Sequence, residues 1–371
     1  MADATDSVPF AHGAAGHQGL TSNASGTVLT KPCTAAEIAF YQSASSDPAH
    51  EAFYAHMPTF LGSLAPAADQ AGLSKLLQGT DGVAPAAAPK GDESGEQQQN
   101  KSKDAVPLGK DEEWTPSGGK KIKTGLAICL ANTASGCSKP CVLDLKLGAR
   151  LWDDDAPQAK RQKLDEVAAE TTSGSLGFRV AGMKVWVGGQ QQQQQQRQAL
   201  SKEEEGFVTL DNGYKSYDKF YGRQFKNAQD VRAAFETFLP APDSKYRAEI
   251  GGRFVRELES IIYMLERKES RMYSASVLFV YEGDEAALGR ALEFEERNRR
   301  ADEAGQDVDV DVEGPQGLGK DENDEEIEPK VHDVRLIDFA HARWTPGEGP
   351  DENALRGVRS AVEVLRSVLG L

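Results

Sequence analysis

The chain has 371 residues, 39% hydrophobic and 7% aromatic, with 58 acidic against 42 basic side chains and a net charge of −16. No apolar run approaches the length needed to cross a bilayer, so no membrane span is expected, and direct nucleic-acid binding is not expected either. The charge is unevenly spread: residues 302 to 328 hold twelve acidic side chains and Lys320 as the lone base, 11 of the 16 net charges, so the remainder is only mildly acidic and does not repel anionic ligands in general.

Near the N-terminus, "GTVLTKP" reads as a short strand containing Val28 and Leu29. "TAAEIAFYQS" follows as a helix, with Thr34 as N-cap and Glu37 three residues later completing a capping box. Residues 62 to 120, rich in Ala, Pro, Gly, Ser and Gln, hold too little apolar surface to offset the entropy of ordering them. "KTGLAICLAN" and "CVLDLKLG" are strands. In the second, Leu143, Leu145 and Leu147 take one face of a half-buried strand ending at Gly148, and Asp144 and Lys146 share the other.

"PQAKRQKLDEVAAE" is helical, with Leu164, Val167 and Ala168 on one side, and "SLGFRVAGMKVWV" returns to strand character. An unbroken glutamine run, Gln190 to Gln196, separates it from two helices, "NAQDVRAAFETFL" and "YRAEIGGRFVRELESIIYMLERK". The strands "YSASVLFVYEG" and "VRLIDFAHA" are expected to pair across the acidic stretch as a long hairpin loop. "ENALRGVRSAVEVLRSVL" closes the chain as an amphipathic helix.

The pattern is α+β and two-lobed, with about 240 residues of core. The expected N-terminal lobe is 1–138, with 62–120 a largely disordered insertion. The expected C-terminal lobe is 139–371, with a helical segment at 155–175, a Gln-rich loop at 187–204 and an acidic disordered insertion at 301–330.

Cys33, Cys129, Cys137 and Cys141 show no paired CxxC spacing, and six scattered histidines complete no zinc set, so reduced thiols in an intracellular protein are expected. Three features carry chemistry: Asp144 with Lys146 on one strand face, Asp338 directly after Leu336 and Ile337 where a buried strand would end, and the basic cluster Lys160, Arg161 and Lys163. Phosphoryl transfer needs cations on the transferred phosphate and a carboxylate for Mg2+, with little covalent work from the protein, and this set suits it. Lys31 with Glu37 adds a second cation held by an ion pair.

Taken singly, each feature has a plain alternative: an exposed sheet pair, a turn cap, a solvated helix face, and for His341 a hydrogen-bonded structural residue. "KRQK" also passes as a nuclear-import patch. There is no GxxxxGK[ST] loop and no HRD, DFG or APE, which argues against a P-loop enzyme and an ordinary protein kinase.

Read together, the motifs resemble one family. "PCVLDLKLG" matches the PxxxDxKxG signature of the inositol polyphosphate kinases. "HGAAGH", "GTVLTKP" with "EIAFY", "TTSGSLGFRVAGMKVW", "KFYGRQF", "YSASVLFVYEG" and "RLIDFAHA" fall in the family's order. The short N-terminal lobe is most similar to the multikinase branch, its fungal members above all.

The resemblance implies a protein-kinase/ATP-grasp-like fold of antiparallel sheets and helices that uses ATP and Mg2+. It implies that Lys146 bridges the γ-phosphate and the acceptor hydroxyl, and that Asp144 beside it binds the nucleotide ribose. Asp338 would ligate the metal with Ser276 nearby, and Lys31 supported by Glu37 would contact the α- and β-phosphates. Lys160, Arg161 and Lys163 would receive the phosphorylated substrate, with His341 beside the metal site. Two departures stand out: Ala131 replaces a hinge glutamate, and Ala275 replaces the first serine of the Ser-Ser-Leu-Leu motif.

The implied activity is phosphorylation of inositol trisphosphate and tetrakisphosphate. The alternative is an inositol hexakisphosphate kinase, which "DDAP" also fits. A reading from another class is a scaffold or transcriptional co-regulator with transcription-related partners, motivated by the glutamine run and the acidic insertion. Nucleus and cytoplasm are the expected locations.

Overall fold

The computed structural model describes residues 8–10, 13, 19–66, 124–189, 197, 200, 202, 204–305 and 327–371. Residues 67–120 of the first expected insertion, the glutamine run, residues 306–326 of the acidic insertion and "HGAAGH" apart from Gly13 lie outside the described residues.

Strands Val8–Pro9 (β1), Thr21–Ser22 (β2), Val28–Pro32 (β3), Phe60–Leu64 (β4) and Ala127–Ala131 (β5) form an antiparallel sheet in the order β1-β2-β3-β5-β4. β4 takes in residues 62–64, which composition alone assigns to the unfolded stretch. Ladder bonds to β5 hold this edge strand, with Phe60 packed against the core and Leu61 and Leu64 exposed. Helices Ala35–Ser46 (α1) and Glu51–Tyr54 (α2) bury Ile38, Tyr41 and Phe53 in a core shared with Ile128 of β5.

Only half of the expected capping box forms. The Glu37 N–H donates to Thr34 Oγ1 at 3.2 Å. The Glu37 carboxylate, 1% exposed, turns inward to Lys31 and the Phe339 N–H instead of returning to the cap. A charge-assisted bond to a buried ammonium is stronger than the neutral N–H it forgoes.

The second sheet is antiparallel in the order β12-β11-β6-β7-β9-β8. Its strands are Pro140–Leu147 (β6), Phe178–Trp186 (β7), Val208–Asp211 (β8), Tyr214–Tyr217 (β9), Ser276–Glu282 (β11) and His332–Ile337 (β12). A short ribbon pairs Ser270–Met272 (β10) with Ala342–Trp344 (β13). The remaining helices are Gln158–Glu170 (α3), Thr172–Leu176 (α4), Lys219–Gln224 (α5), Ala228–Phe238 (α6), Arg247–Leu265 (α7), Glu285–Ala304 (α8) and Glu352–Leu369 (α9).

Leu143, Leu145 and Leu147 point from β6 into a core shared with Phe235 of α6, Phe254 of α7 and Leu355 of α9. Each fully buried side chain of this size contributes about 1.5–3 kcal/mol. Phe238, Phe254 and Phe279 interlock, with Phe254 edge-on to Phe279 at 5.2 Å. α7 and α9 approach closely at Gly251, where a Cβ would come 2.4 Å from Leu369. β6 is buried on both faces, not one. Its other face, with Val142 and Asp144, lies against a second layer of chain that includes Ala134 and Cys137.

β11 and β12 pair as expected, from Ser276 opposite Ile337 to Tyr281 opposite His332. Their connection is not simply a loop, because α8 occupies its first part. Asp284 caps α8 by accepting from the Ala287 N–H, and Glu296 with Arg299 and Arg300 ladder along it. A helix so polar shows little apolar periodicity. The β8–β9 hairpin also escapes a search for long periodic runs. Its Asn212-Gly213 turn, at φ 49° and 82°, is the two-residue signal that marks it.

Candidate active site

The site forms where β3 and β5 of the first sheet face β6, β11 and β12 of the second. Leu29 and Leu130 form one wall of a pocket, and Val142, Leu278 and Val280 form the other. Lys31, Asp144 and Asp338 stand in the same pocket. The wall residues share a face by register: β11 sets Ser276, Leu278 and Val280 opposite Lys146, Asp144 and Val142.

Asp338 follows the last residue of β12 at φ +68°, a conformation uncommon for a non-glycine residue. Burial of its neighbour helps hold it there. Phe339 is 0% exposed and packs on Phe40 at 5.0 Å and Tyr41 at 5.3 Å, while its N–H donates to Glu37 Oε1 at 3.2 Å. Strain of this kind persists only where the surroundings determine it, and it concentrates at functional sites.

The carboxylate so placed joins two lysines. Lys31 Nζ lies 2.7 Å from Asp338 Oδ1 and 2.7 Å from Glu37 Oε1, and Lys146 Nζ lies 3.6 Å from Asp338 Oδ2. Burial alone would lower the Lys31 pKa, but Asp338 and Glu37 more than offset it and hold it above the ordinary lysine value. Lys146 Nζ also donates to the Ser274 carbonyl at 2.6 Å. Ser274 is left-handed too, at φ +60°, and its hydroxyl donates to the Leu151 carbonyl at 2.9 Å. Two carboxylates and two ammoniums thus balance in one cluster beside a largely apolar slot. That arrangement accommodates a flat heterocycle in the slot and phosphates at the charged end.

Residues 127–366 match the family model described as inositol polyphosphate kinase. The chain belongs to the inositol polyphosphate kinase family. It is 30% identical to the inositol polyphosphate multikinase of Saccharomyces cerevisiae, over 95% of this chain and 96% of that protein. Against the inositol polyphosphate multikinase of Schizosaccharomyces pombe the identity is 24%, over 97% of each. Inositol hexakisphosphate kinase 3 of Mus musculus is 27% identical, over 65% of this chain and 50% of that protein. Among solved structures, inositol phosphate multikinase from S. cerevisiae in complex with ADP and Mn2+ is similar with a TM-score of 0.57 and 26% identity, covering 92% of this chain and 99% of that chain.

In this inositol polyphosphate kinase, Lys31, Glu37, Asp144, Lys146, Ser276 and Asp338 come together around one cleft. Ser276 is 0% exposed, in register with Lys146 and Ile337, and its Oγ has no hydrogen-bond partner among the described residues. Lys160 and His341 meet at the α3 side, with Nζ and Nε2 3.4 Å apart, and His341 Nδ1 contacts Asp153. Burial and Lys160 lower the His341 pKa, against the pull of Asp153.

The basic cluster does not act as a unit. Arg161 donates to the carbonyls of Ala156 and Asp154 and lies over Trp152, because consecutive helical residues point about 100° apart. Its guanidinium serves the loop that enters α3, and Lys163 stands exposed.

Ala131, at the hinge position, lines the pocket with Asn132. Asn132 ties the hinge: its Nδ2 donates to the Gly26 carbonyl at 2.6 Å, and its Oδ1 accepts from the Ala134 N–H at 3.0 Å. Glu282, 2% exposed, accepts from the N–H groups of Lys139 and Asp284 at 3.0 and 2.8 Å, and its pKa is raised by burial.

Sequence reading missed Tyr41 in the pocket wall, Ser274 under Lys146, Asp153 behind His341, and Asn353. Asn353 Oδ1 accepts from the Ala149 and Arg150 N–H groups at 3.0 Å each, shaping the turn after β6. A local signal existed only for Asp153, which directly precedes the "DDAP" stretch; the others depend on contacts distant in sequence.

Proposed function

We propose that the protein is an ATP- and Mg2+-dependent inositol polyphosphate multikinase that phosphorylates inositol trisphosphate and tetrakisphosphate on ring hydroxyls. The observation that carries this reading is Asp338 holding Lys31 and Lys146 on its two oxygens at the polar end of the Asp144 pocket. The relatives of matching length are multikinases, whereas the chain covers half of the hexakisphosphate kinase it matches.

The placement of these residues supports the following roles. The base occupies the slot between Leu29 and Leu130 on one side and Val142 and Leu278 on the other, and Asp144 accepts from the ribose hydroxyls. Lys31, oriented by Glu37, binds the α- and β-phosphates. Asp338 suits Mg2+, which takes one or two carboxylates together with phosphate oxygens, and the Ser276 hydroxyl lies beside it as a further oxygen donor. When bound, the metal supplies neutralisation of the phosphate charge.

The acceptor hydroxyl attacks the γ-phosphorus, the bond to the bridging oxygen breaks, ADP leaves, and the hydroxyl proton passes to solvent. Lys146 stabilises the charge that develops on the transferred group. Lys160 and His341 receive phosphates of the ring, with Lys163 at the outer edge. Resolving the products formed from ATP with inositol trisphosphate and, separately, with inositol hexakisphosphate tests the reading. It expects tetrakis- and pentakisphosphate from the first, and turnover of the hexakisphosphate alone would overturn it.

A further inference from the structure

The register that builds the cleft also sets a second cation beside Lys146. β12, β11, β6 and β7 align Ile337, Ser276, Lys146 and Arg179 in one transverse row. Directly opposed residues of an antiparallel pair share a face, so Arg179 projects on the Lys146 side of the sheet. Its neighbours confirm the orientation, since Phe178 and Val180 are 0% and 1% exposed in the core on the opposite side.

Arg179 Nη1 donates to Ser173 Oγ of α4 at 2.9 Å, and no carboxylate lies within ion-pair distance of it among the described residues. A second guanidinium, Arg223 of α5, is near enough to act on it. Burial and then Arg223 bring the Arg179 pKa down to about 10, against an opposing pull from Asp144. Two neighbouring guanidiniums in a partly buried position, without a matching carboxylate, are unfavourable until an anion joins them. The planar guanidinium fork matches phosphate oxygens, which bind it in bidentate fashion.

We infer that Arg179, with Arg223 beside it, binds a phosphate of the acceptor on a ring carbon near the one whose hydroxyl reacts at Lys146. This rests on the multikinase reading and deepens it, because it makes a second phosphate a requirement of the acceptor and separates its ligand from the Lys160 and His341 side. Arg179 would thereby set acceptor affinity, not the chemical step.

The test compares full-length wild type, Arg179→Leu and Arg179→Lys. Steady-state kinetics with ATP use inositol trisphosphate and inositol bisphosphate as acceptors, and calorimetry follows inositol trisphosphate binding. Arg179→Leu is expected to raise the trisphosphate KM at least about tenfold, the size of a lost charged hydrogen bond, while kcat and the ATP KM stay within about twofold. Arg179→Lys should fall between, and the penalty should shrink for a bisphosphate that lacks the recognised phosphate. An unchanged acceptor KM in Arg179→Leu overturns the inference, whether or not the melting temperature falls, and so does an equal rise in the ATP KM. Failure of the wild type to phosphorylate inositol trisphosphate would defeat the multikinase reading instead. Calorimetry needs no turnover, so equal trisphosphate binding by wild type and Arg179→Leu would still refute the Arg179 site by itself.

Discussion

Lys31 and Asp338, 307 positions apart in the chain, meet at 2.7 Å, and the same carboxylate reaches Lys146 from its other oxygen. β3 and β6 contribute the lysines and the residue after β12 contributes the carboxylate, so the contact ties the two sheets at the polar end of the pocket. Removing the carboxylate leaves Lys31 with Glu37 and takes from Lys146 its ion-pair partner among the described residues. Asp338→Asn should lower kcat by about 10²–10³-fold, as expected for loss of a group that organises transition-state charge. It should also cost about 2–3 kcal/mol in urea unfolding, below the range for a fully buried pair. In a double-mutant cycle with Lys31→Met, the two stability losses should fail to add.

The pH dependence of the Lys31 pair has a definite sign. The folded pKa of Lys31 lies above its ordinary 10.5, so the stabilisation is fully present below that value and is lost only as pH rises through the folded pKa. Glu37→Gln should therefore destabilise by a constant amount between about pH 6 and pH 9, with the gap to wild type closing only in stronger alkali. Urea midpoints across that range check this, and a gap that closes near neutrality would contradict it.

Phe339 should control Asp338 from a distance. Phe339→Ala removes a fully buried ring from between α1 and α2 and should cost about 3–5 kcal/mol. It also frees the left-handed Asp338, so the concentration of Mg2+ needed for half-maximal rate should rise several-fold, with the acceptor KM nearly unchanged. Phe339→Leu should recover part of both.

Much of this frame was legible in the chain because its periodic segments are strong. β6, α7 and α9 follow from leucine alternation and helical spacing, and the β11–β12 pairing follows from two β-prone runs. What escaped has physical reasons. α8 is held mainly by a cap and charge ladders, with its buried apolar residues Ala287, Leu288 and Ala291 confined to the first turns, and β4 is an edge strand whose Leu61 and Leu64 stay exposed and whose partner lies far along the chain. The site residues with local motifs, Asp144, Lys146 and Asp338, could be named in advance. Ser274 could not, because nothing in a serine announces a left-handed backbone or a carbonyl turned toward Lys146. Glu37 was assigned two tasks, and the ion pair prevailed over the cap. Arg179 alternates with Phe178 and Val180 just as Lys146 alternates with leucines, a signal present in the sequence and masked by the basic cluster upstream.

His341 gives a second pH signature of opposite direction. Burial and Lys160 hold its folded pKa below 6.5, so the stability it contributes is present above that value and is lost as pH falls through the folded pKa. The stability difference between wild type and His341→Gln should shrink below about pH 6.5. Asp153→Asn, which removes the partner that opposes the lowering, should leave the onset near pH 6.5 and extend the decline to a lower pH; an identical pH profile would show that Asp153 does not govern the ring.

The most direct measurement of the central claim is the turnover of inositol trisphosphate by Lys146→Ala beside wild type, with saturating ATP and Mg2+. If Lys146 stabilises the transferred phosphate, kcat falls by about 10²–10³-fold or more while the nucleotide still binds. A Lys146→Ala protein that folds and phosphorylates inositol trisphosphate at the wild-type rate would contradict the account.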